Sequence, residues 1–140
     1  MAGVEISTDH WPVVLVKFDA DQTMEDCERF MRVMDAIHAR KAPYASISYM
    51  RRYNRDRAQV QRVAGWMKDT AELTQRYCVG TGIITQSLGF RFLLTSIFLV
   101  RPMSCPYQVC AGFDEAWRFV RDQGTRRGLA VPPVPNVWNV

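Results

Sequence analysis

The chain has 140 residues, of which 48% are hydrophobic and 23% are charged, and its formal net charge is +4 at pH 7. This length can bury one hydrophobic core and is too short for two ordinary domains. The longest apolar stretch, residues 88–100, contains an arginine and is shorter than the roughly 20 residues of a membrane-spanning helix. The first residues also lack the basic region and apolar core of a signal peptide, so we expect one soluble, cytoplasmic domain.

The first predicted elements are a hairpin and a helix. Residues 4–7 and 13–18 have strand patterns, and the polar residues 8–10 between them suit a turn. From Met24 to His38 apolar residues recur at helical spacing, with Thr23 as the expected N-cap and Asp26 in the capping-box position.

Strands and helices alternate through the rest of the chain. Strand patterns occupy residues 44–50, 78–85 and 107–111, and helical patterns occupy residues 55–77, 88–101 and 114–123. The last helix is expected to be capped by Asp114. The apolar side of the second helix is predicted to comprise Val60, Val63, Ala64, Met67, Ala71 and Leu73. The order β-β-α-β-α-β-α-β-α predicts a single α/β domain with a mainly parallel sheet and right-handed crossovers.

A change of composition divides the chain into a domain over residues 1–128 and a Pro-rich tail over residues 129–140. The tail contains three prolines and no charged residue, so it cannot be a regular helix. It is either an extended arm or disordered.

The order of elements, the opening hairpin and the phrase Gly-Phe-Asp-Glu-Ala-Trp-Arg-Phe-Val leading the final helix resemble the STAS-like domains, which include the bacterial anti-sigma factor antagonists. The resemblance covers about residues 3–123 and implies a small partner-binding module. In antagonists of that family, an Asp-Ser-Gly or similar turn places a phosphorylatable serine at a helix start. The matching stretch here, SISYMRRYNRDRAQV, has no Asp-Ser, and neither Ser46 nor Ser48 follows the strand, so the resemblance does not carry the phosphorylation switch over.

Candidate catalytic and metal-binding side chains are few. His10 falls in a predicted turn and His38 lies near a helix end, so both are interpreted as structural. The Gly-Thr-Gly segment at Gly80–Gly82 lies inside an apolar strand and lacks the third glycine and the lysine of phosphate loops. It is expected to allow a helix to pack closely over the strand. We predict no catalytic residue, no metal and no cofactor.

The four cysteines, Cys27, Cys78, Cys105 and Cys110, lack paired CxxC spacing. A chain with this apolar content does not need disulfides to fold, so we interpret all four as free thiols. The two that flank the last strand have no second pair of ligands, so they do not predict a zinc site.

The strongest polar signal is the arginine loop, the segment Arg51–Arg57 with the sequence Arg-Arg-Tyr-Asn-Arg-Asp-Arg. It joins a strand end to a helix start, where α/β sheets bind ligands and where guanidinium groups suit phosphate or carboxylate. The alternative is a solvated basic loop, partly neutralised by Asp56. Nucleic acid is the weaker hypothesis, because the loop lacks interleaved aromatic residues. The candidate anion-binding residues are Arg51, Arg52, Tyr53, Asn54, Arg55 and Arg57.

The helix over residues 88–101 is apolar most of the way round. The stripe predicted to cover the sheet comprises Phe90, Leu93, Leu94, Ile97 and Val100. The residues left over, which are candidates for an interface, are Leu88, Phe92, Phe98 and Leu99. Such a helix is usually buried twice, either under neighbouring helices and the tail or in an interface with a second copy or another protein. Membrane docking is the weaker alternative, because only Arg91 and Arg101 supply a basic flank.

These patterns favour a non-enzymatic regulatory or scaffolding module that acts by protein–protein interaction, with a homodimer as one form of it. Two alternatives stay open. One is a binder of a small anionic ligand or lipid head group at the arginine loop, and the other is an unrecognised enzyme.

Overall fold

The computed structural model describes residues 3–19 and 21–140. Its strands are β1 (Val4–His10), β2 (Val13–Phe18), β3 (Tyr44–Met50), β4 (Cys78–Ile84) and β5 (Tyr107–Cys110). Its helices are α1 (Met24–Ala39), α2 (Arg57–Asp69), α3 (Ala71–Tyr77), α4 (Leu88–Val100) and α5 (Phe113–Arg126). The strands form one sheet in the order β1-β2-β3-β4-β5, in which β1 is antiparallel to β2 and the other neighbours are parallel. The predicted α/β class, opening hairpin and mainly parallel sheet are confirmed.

Helices cover both faces of the sheet. Alternate residues of β2 point to opposite sides, with Val13 and Leu15 in the cluster under α5 and Val14 and Val16 in the cluster under α1. The small cluster beneath α4 shares Met50 with the α1 cluster, so α4 lies on the α1 side. On its own side of the sheet, α5 is the only helix in the described ranges.

The contact between α5 and β4 is unusually close. A Cβ atom placed on Gly82 would lie 2.7 Å from Cβ of Ala116, and one placed on Gly80 would lie 3.0 Å from Cβ of Gln123. The backbone of β4 therefore meets α5 directly where any other residue would hold the helix away. This confirms the interpretation of Gly-Thr-Gly as a close-packing segment.

Residues 129–140 form an extended arm over the face that α5 covers. Trp138 packs against Tyr49 and Phe113, with ring centroids 5.7 and 6.0 Å apart. Trp117 of α5 donates a hydrogen bond from Nε1 to the carbonyl oxygen of Pro132 at 3.0 Å. Of the two alternatives for the tail, the structure shows the arm, and the arm completes the cover that α5 begins.

Helix starts agree with the sequence in one case and differ in another. At α1 the predicted capping box is confirmed, since Thr23 and Asp26 each accept a hydrogen bond from the other's backbone N–H. At α5 the predicted cap was wrong, because the N-cap is Gly112 and Asp114 lies inside the first turn. The N–H of Phe113 donates instead to the carbonyl oxygen of Val140 at 3.2 Å, so the arm provides an acceptor that a capping side chain would otherwise provide.

Two further boundaries differ from the predictions. The residues assigned to the first turn continue β1, because His10 still pairs with Val13, and the turn is confined to Trp11 and Pro12. The single helix predicted over residues 55–77 is divided into α2 and α3 at Thr70, whose ψ of 6° departs from helical geometry.

The buried side of α2 also differs from the predicted one. Val60, Met67 and Leu73 are exposed, whereas Gln59 and Val63 are buried. Gln59 donates a hydrogen bond from Nε2 to the carbonyl oxygen of Gln22 at 2.8 Å, and the Trp66 ring packs against Phe30. Because of these contacts, α2 is rotated about its own axis, by about the angle of one residue, from the orientation that its apolar positions predict.

Replacing Gly82 with valine should destabilise the fold, because its side chain would overlap Ala116 and push α5 from the sheet. We expect a loss of about 3 kcal/mol in the free energy of unfolding, measured by urea denaturation with circular dichroism. Gly65→Ala is the matched control, since a Cβ on Gly65 meets nothing within 4 Å, and it should stabilise α2 by about 0.5 to 1 kcal/mol. A Gly82→Val protein as stable as the parent would contradict the close contact.

Candidate functional site

The most unusual surface of the molecule is α4. This helix begins at Leu88 after Ser87, whose hydroxyl accepts a hydrogen bond from the N–H of Phe90 at 3.2 Å. It packs on β4 and β5 through Leu94, the only residue of α4 that is buried. Its remaining surface is largely open to solvent.

The rotation of α4 on the sheet was predicted wrongly. The side chains that face the sheet are Phe90, Leu94 and Phe98, and the Phe98 ring contacts Tyr107 with centroids 4.7 Å apart. The guanidinium of Arg91 donates from Nη2 to the carbonyl oxygen of Val109 at 3.3 Å on the same side. Apolar residues on most sides of this helix offer little polar contrast to set its rotation, so these tertiary contacts set it.

Six large apolar side chains of α4 are exposed. They are Leu88 (81%), Phe92 (75%), Leu93 (52%), Ile97 (47%), Leu99 (80%) and Val100 (81%). At 3.6 residues per turn they form two ridges. Leu88, Phe92 and Leu99 make one ridge, and Leu93, Ile97 and Val100 make the other. Gly89 and Ser96 lie between the ridges, and a Cβ on Gly89 would meet nothing within 4 Å, so a groove runs between them.

Of the candidate interface residues, the structure places Leu88, Phe92 and Leu99 together on one ridge and turns Phe98 toward β5. Sequence reasoning missed the second ridge, since its three residues had been assigned to the sheet. Neighbouring helices and the tail do not cover either ridge in the described ranges.

The second candidate is a cavity of about 250 Å³ at the carboxyl ends of β3 and β4. This is the edge at which α/β sheets bind ligands. The residues that line it are Tyr49, Met50, Arg51, Arg52, Thr85, Gln86 and Ser87. Two of the six candidate anion-binding residues, Arg51 and Arg52, therefore reach it.

Arg51 and Asn54 bind acidic side chains across the loop that follows β2. The Arg51 guanidinium donates to Oδ1 of Asp19 at 2.9 Å, and the Asn54 amide donates to Oδ1 of Asp21 at 3.0 Å. Part of the positive charge at the cavity is thus compensated by Asp19. These pairs fix the course of the arginine loop beside the end of β2.

Tyr53 and Arg55 belong to the packing between layers. The Tyr53 ring contacts Phe18 and Phe90, with centroids 5.4 and 5.8 Å away, and burial raises the pKa of its hydroxyl. The Arg55 guanidinium lies 4.7 Å from the centroid of the Tyr53 ring. Neither residue lines the cavity.

Arg57 is exposed at the first position of α2 and also stands apart from the cavity. The N-terminus of α2 is already capped, because Asp56 and Gln59 form a capping box. The backbone N–H of Gln59, which an anion could have bound, donates to the Asp56 carboxylate. The six candidate residues therefore do not converge on one point.

The two histidines lie in different environments. His10 is partly exposed in β1, whereas His38 is buried and its Nε2 lies 2.9 Å from the hydroxyl of Tyr44. Burial lowers the pKa of His38 and raises that of Tyr44. In the described part of the chain, no three His, Cys, Asp or Glu side chains are grouped so that they could hold a metal ion.

Comparison of the chain with protein-family models, with curated proteins and with solved structures gives no match. Within residues 3–19 and 21–140, no helix combines the length and apolar character needed to cross a membrane. Function must therefore be inferred from the α4 face and the cavity.

The buried His38 should make stability depend on pH. Its pKa in the folded protein lies below the ordinary value of 6.5, so under acidic conditions the unfolded chain binds a proton that the folded protein does not. Stability should fall as the pH drops below 6.5, by at most about 1.4 kcal/mol per pH unit, and this contribution levels off below the folded pKa. Urea denaturation between pH 5 and 7 measures it. The fall should be smaller in His38→Gln and unchanged in the His10→Gln control; equal falls in all three proteins would contradict the assignment to His38.

Proposed function

We propose that this protein is a non-enzymatic, STAS-like interaction module that binds another protein through α4. The observation that carries the proposal is the pair of exposed apolar ridges, a feature that marks interaction sites on folded proteins. The antiparallel opening pair followed by parallel strands and alternating helices supports the STAS-like assignment.

The size of the α4 face fits a stable contact. From their exposed fractions, the six side chains offer on the order of 700 Å², close to the roughly 800 Å² that each partner contributes to a standard interface. The helix also lacks acidic residues, and no Asp or Glu lies anywhere between Glu72 and Asp114. Covering this face therefore requires no carboxylate to lose its hydration.

A second copy of the chain is the partner that best fits the two ridges of α4 and the groove between them. Two ridges with a groove between them are self-complementary, because a ridge of one copy can enter the groove of the other in a two-fold arrangement. Gly89 leaves room for a large side chain such as Phe92 to approach the backbone. We therefore propose a homodimer in which the α4 helices pack against each other.

Charged substitutions on the ridge should dissociate the dimer without unfolding the domain. We expect Phe92→Glu combined with Leu99→Glu to weaken self-association by about 100-fold or more, since both side chains would be central in the interface. Sedimentation velocity across micromolar concentrations measures it, with circular dichroism to check the fold. Val60→Glu, on the exposed side of α2, is the matched control and should stay dimeric. A parent that is monomeric throughout this range, or a doubly substituted protein that dimerises like the parent, would contradict the proposal.

A second candidate function is the binding of a small anion, favoured by the cavity that Arg51, Arg52 and Ser87 line. The two guanidinium groups supply charge, and the cavity supplies a place for a phosphate group. Asp19 shares Arg51, so one bound phosphate would compete with this carboxylate. We expect weak, salt-sensitive binding.

Calorimetric titration with inorganic phosphate and with glycerol phosphate, at low and moderate salt, tests this site. Arg51→Ala with Arg52→Ala should abolish binding, whereas Arg57→Ala, which removes one positive charge outside the cavity, should retain most of it. Equal affinities of the parent and the double variant, or no binding by the parent at low salt, would exclude an anion site at the cavity.

A further inference from the structure

Two of the four cysteines are neighbours in the fold. Cys78 is the first residue of β4, and Cys105 lies two positions before β5, the strand that pairs with β4. Both belong to the cluster under α1, and their exposed fractions are 1% and 6%. Their separation by 26 intervening positions hides this relation in the sequence.

One hydroxyl group joins the two thiols. Oγ1 of Thr81 lies 3.4 Å from Sγ of Cys78 and 3.6 Å from Sγ of Cys105. The Cys78 thiol also donates to the carbonyl oxygen of Gly80 at 3.5 Å, and each of the two thiols shifts the pKa of the other. The other cysteines have no such neighbour, since Cys27 packs among Met31 and Val63, and the Cys110 thiol donates to the carbonyl oxygen of Gln108.

The positions of the two residues suit a covalent link. Thr81 of β4 pairs with Tyr107 of β5, and the N–H of Thr81 donates to the carbonyl oxygen of Pro106 at 2.9 Å. Both sulfurs lie within 3.6 Å of Oγ1 of Thr81, so they already share a small volume between these two segments. A bond between Cys78 and Cys105 would therefore join adjacent chain segments without moving either strand across the sheet.

The surroundings give the two thiols different acidities. The contact with the Cys78 thiol lowers the pKa of Cys105, and the hydroxyl of Thr81 and the charge of Arg127 lower it further. The same thiol contact and burial raise the pKa of Cys78. Arg127 is held in place because its Nη1 donates to the carbonyl oxygen of Cys78 at 2.9 Å. Burial instead raises the pKa of Cys27, and that of Cys110 to about 12. Cys105 is thus the most readily ionised of the four cysteines, and it is more exposed than Cys78.

We propose that Cys78 and Cys105 are a redox-sensitive pair that forms a reversible disulfide when the protein meets hydrogen peroxide. The Cys105 thiolate attacks one peroxide oxygen, the O–O bond breaks, and Cys105 becomes a sulfenic acid as hydroxide leaves. The Cys78 sulfur, losing its proton, then attacks the Cys105 sulfur and displaces the hydroxyl group, which leaves as water. Overall, two thiols and one peroxide give one disulfide and two waters, and a dithiol reductant reverses the change. This inference does not rest on the proposed function of α4.

The experiment uses the full chain, reduced and then exposed briefly to hydrogen peroxide. The reaction is quenched, the protein is unfolded, free thiols are alkylated, and the intact mass is measured. We expect the oxidised protein to carry two alkyl groups instead of four. Apart from the alkyl groups, its mass should be lower than that of the reduced protein by two hydrogens. Reduction before alkylation should restore four alkyl groups. A peptide map should then show the Cys78 peptide joined to the Cys105 peptide.

Two variants identify the residues. Cys27→Ser with Cys110→Ser retains the pair and should form the bridge at the parent's rate, and in this protein the map admits only one pairing. Cys105→Ser should lose the intramolecular bridge and the fast reaction with peroxide. The proposal is overturned if the protein with only Cys78 and Cys105 keeps both thiols alkylatable after peroxide treatment, if it becomes oxidised without a bridge, or if the bridge in the parent involves Cys27 or Cys110.

Discussion

The contact between Gly82 of β4 and Ala116 of α5 is the constraint around which the rest of the fold is arranged. A β carbon on Gly82 would come within 2.7 Å of the Ala116 methyl group, so the backbone of the strand is itself part of the packing surface. α5 can then lie low over the centre of the sheet, with Phe113, Ala116 and Val120 all buried. One helix placed so closely leaves the edges of this face open, and the arm of residues 129–140 covers the side toward β1 and β2 through Trp138. Helix and arm together cover the middle of that face.

The opposite face is built less tightly. α1 is well anchored, with a capping box at its start and Met31, Met34 and Ile37 buried along its length. α4 instead rests on β4 and β5 through a narrow line of contacts and buries only Leu94. The contrast between α5 and α4 is the structural reason for placing the proposed interface on this side. A helix whose apolar side chains are all buried within the domain has no apolar surface left for a partner. α4 packs one line of apolar side chains on the sheet and leaves two ridges exposed.

The sequence was informative about the start of α1 and about the surface of β4. The capping box of Thr23 and Asp26 spans three positions, and an apolar strand interrupted by Gly-Thr-Gly already suggests a helix close above it. The rotations of α2 and α4 could not be predicted, because the hydrogen bond from Gln59 to Gln22 and the contact of Arg91 with Val109 depend on the finished fold. The same reason applies to the candidate sites. Arg51 and Asn54 are visible in the sequence, but their pairing with Asp19 and Asp21, about thirty positions away, is not.

The cavity and the apolar ridges share the first turn of α4. Ser87 lines the cavity and also caps the helix, and the Phe90 ring of that turn rests against Tyr53 of the arginine loop. The two surfaces are therefore mechanically continuous. Any ligand that holds Ser87 or Tyr53 in a new position also repositions the start of the ridge that begins at Leu88. Thermodynamic linkage would work in both directions: an anion that favoured one position of this turn would change the affinity of α4 for the proposed partner, and that partner would change the affinity for the anion by the same factor.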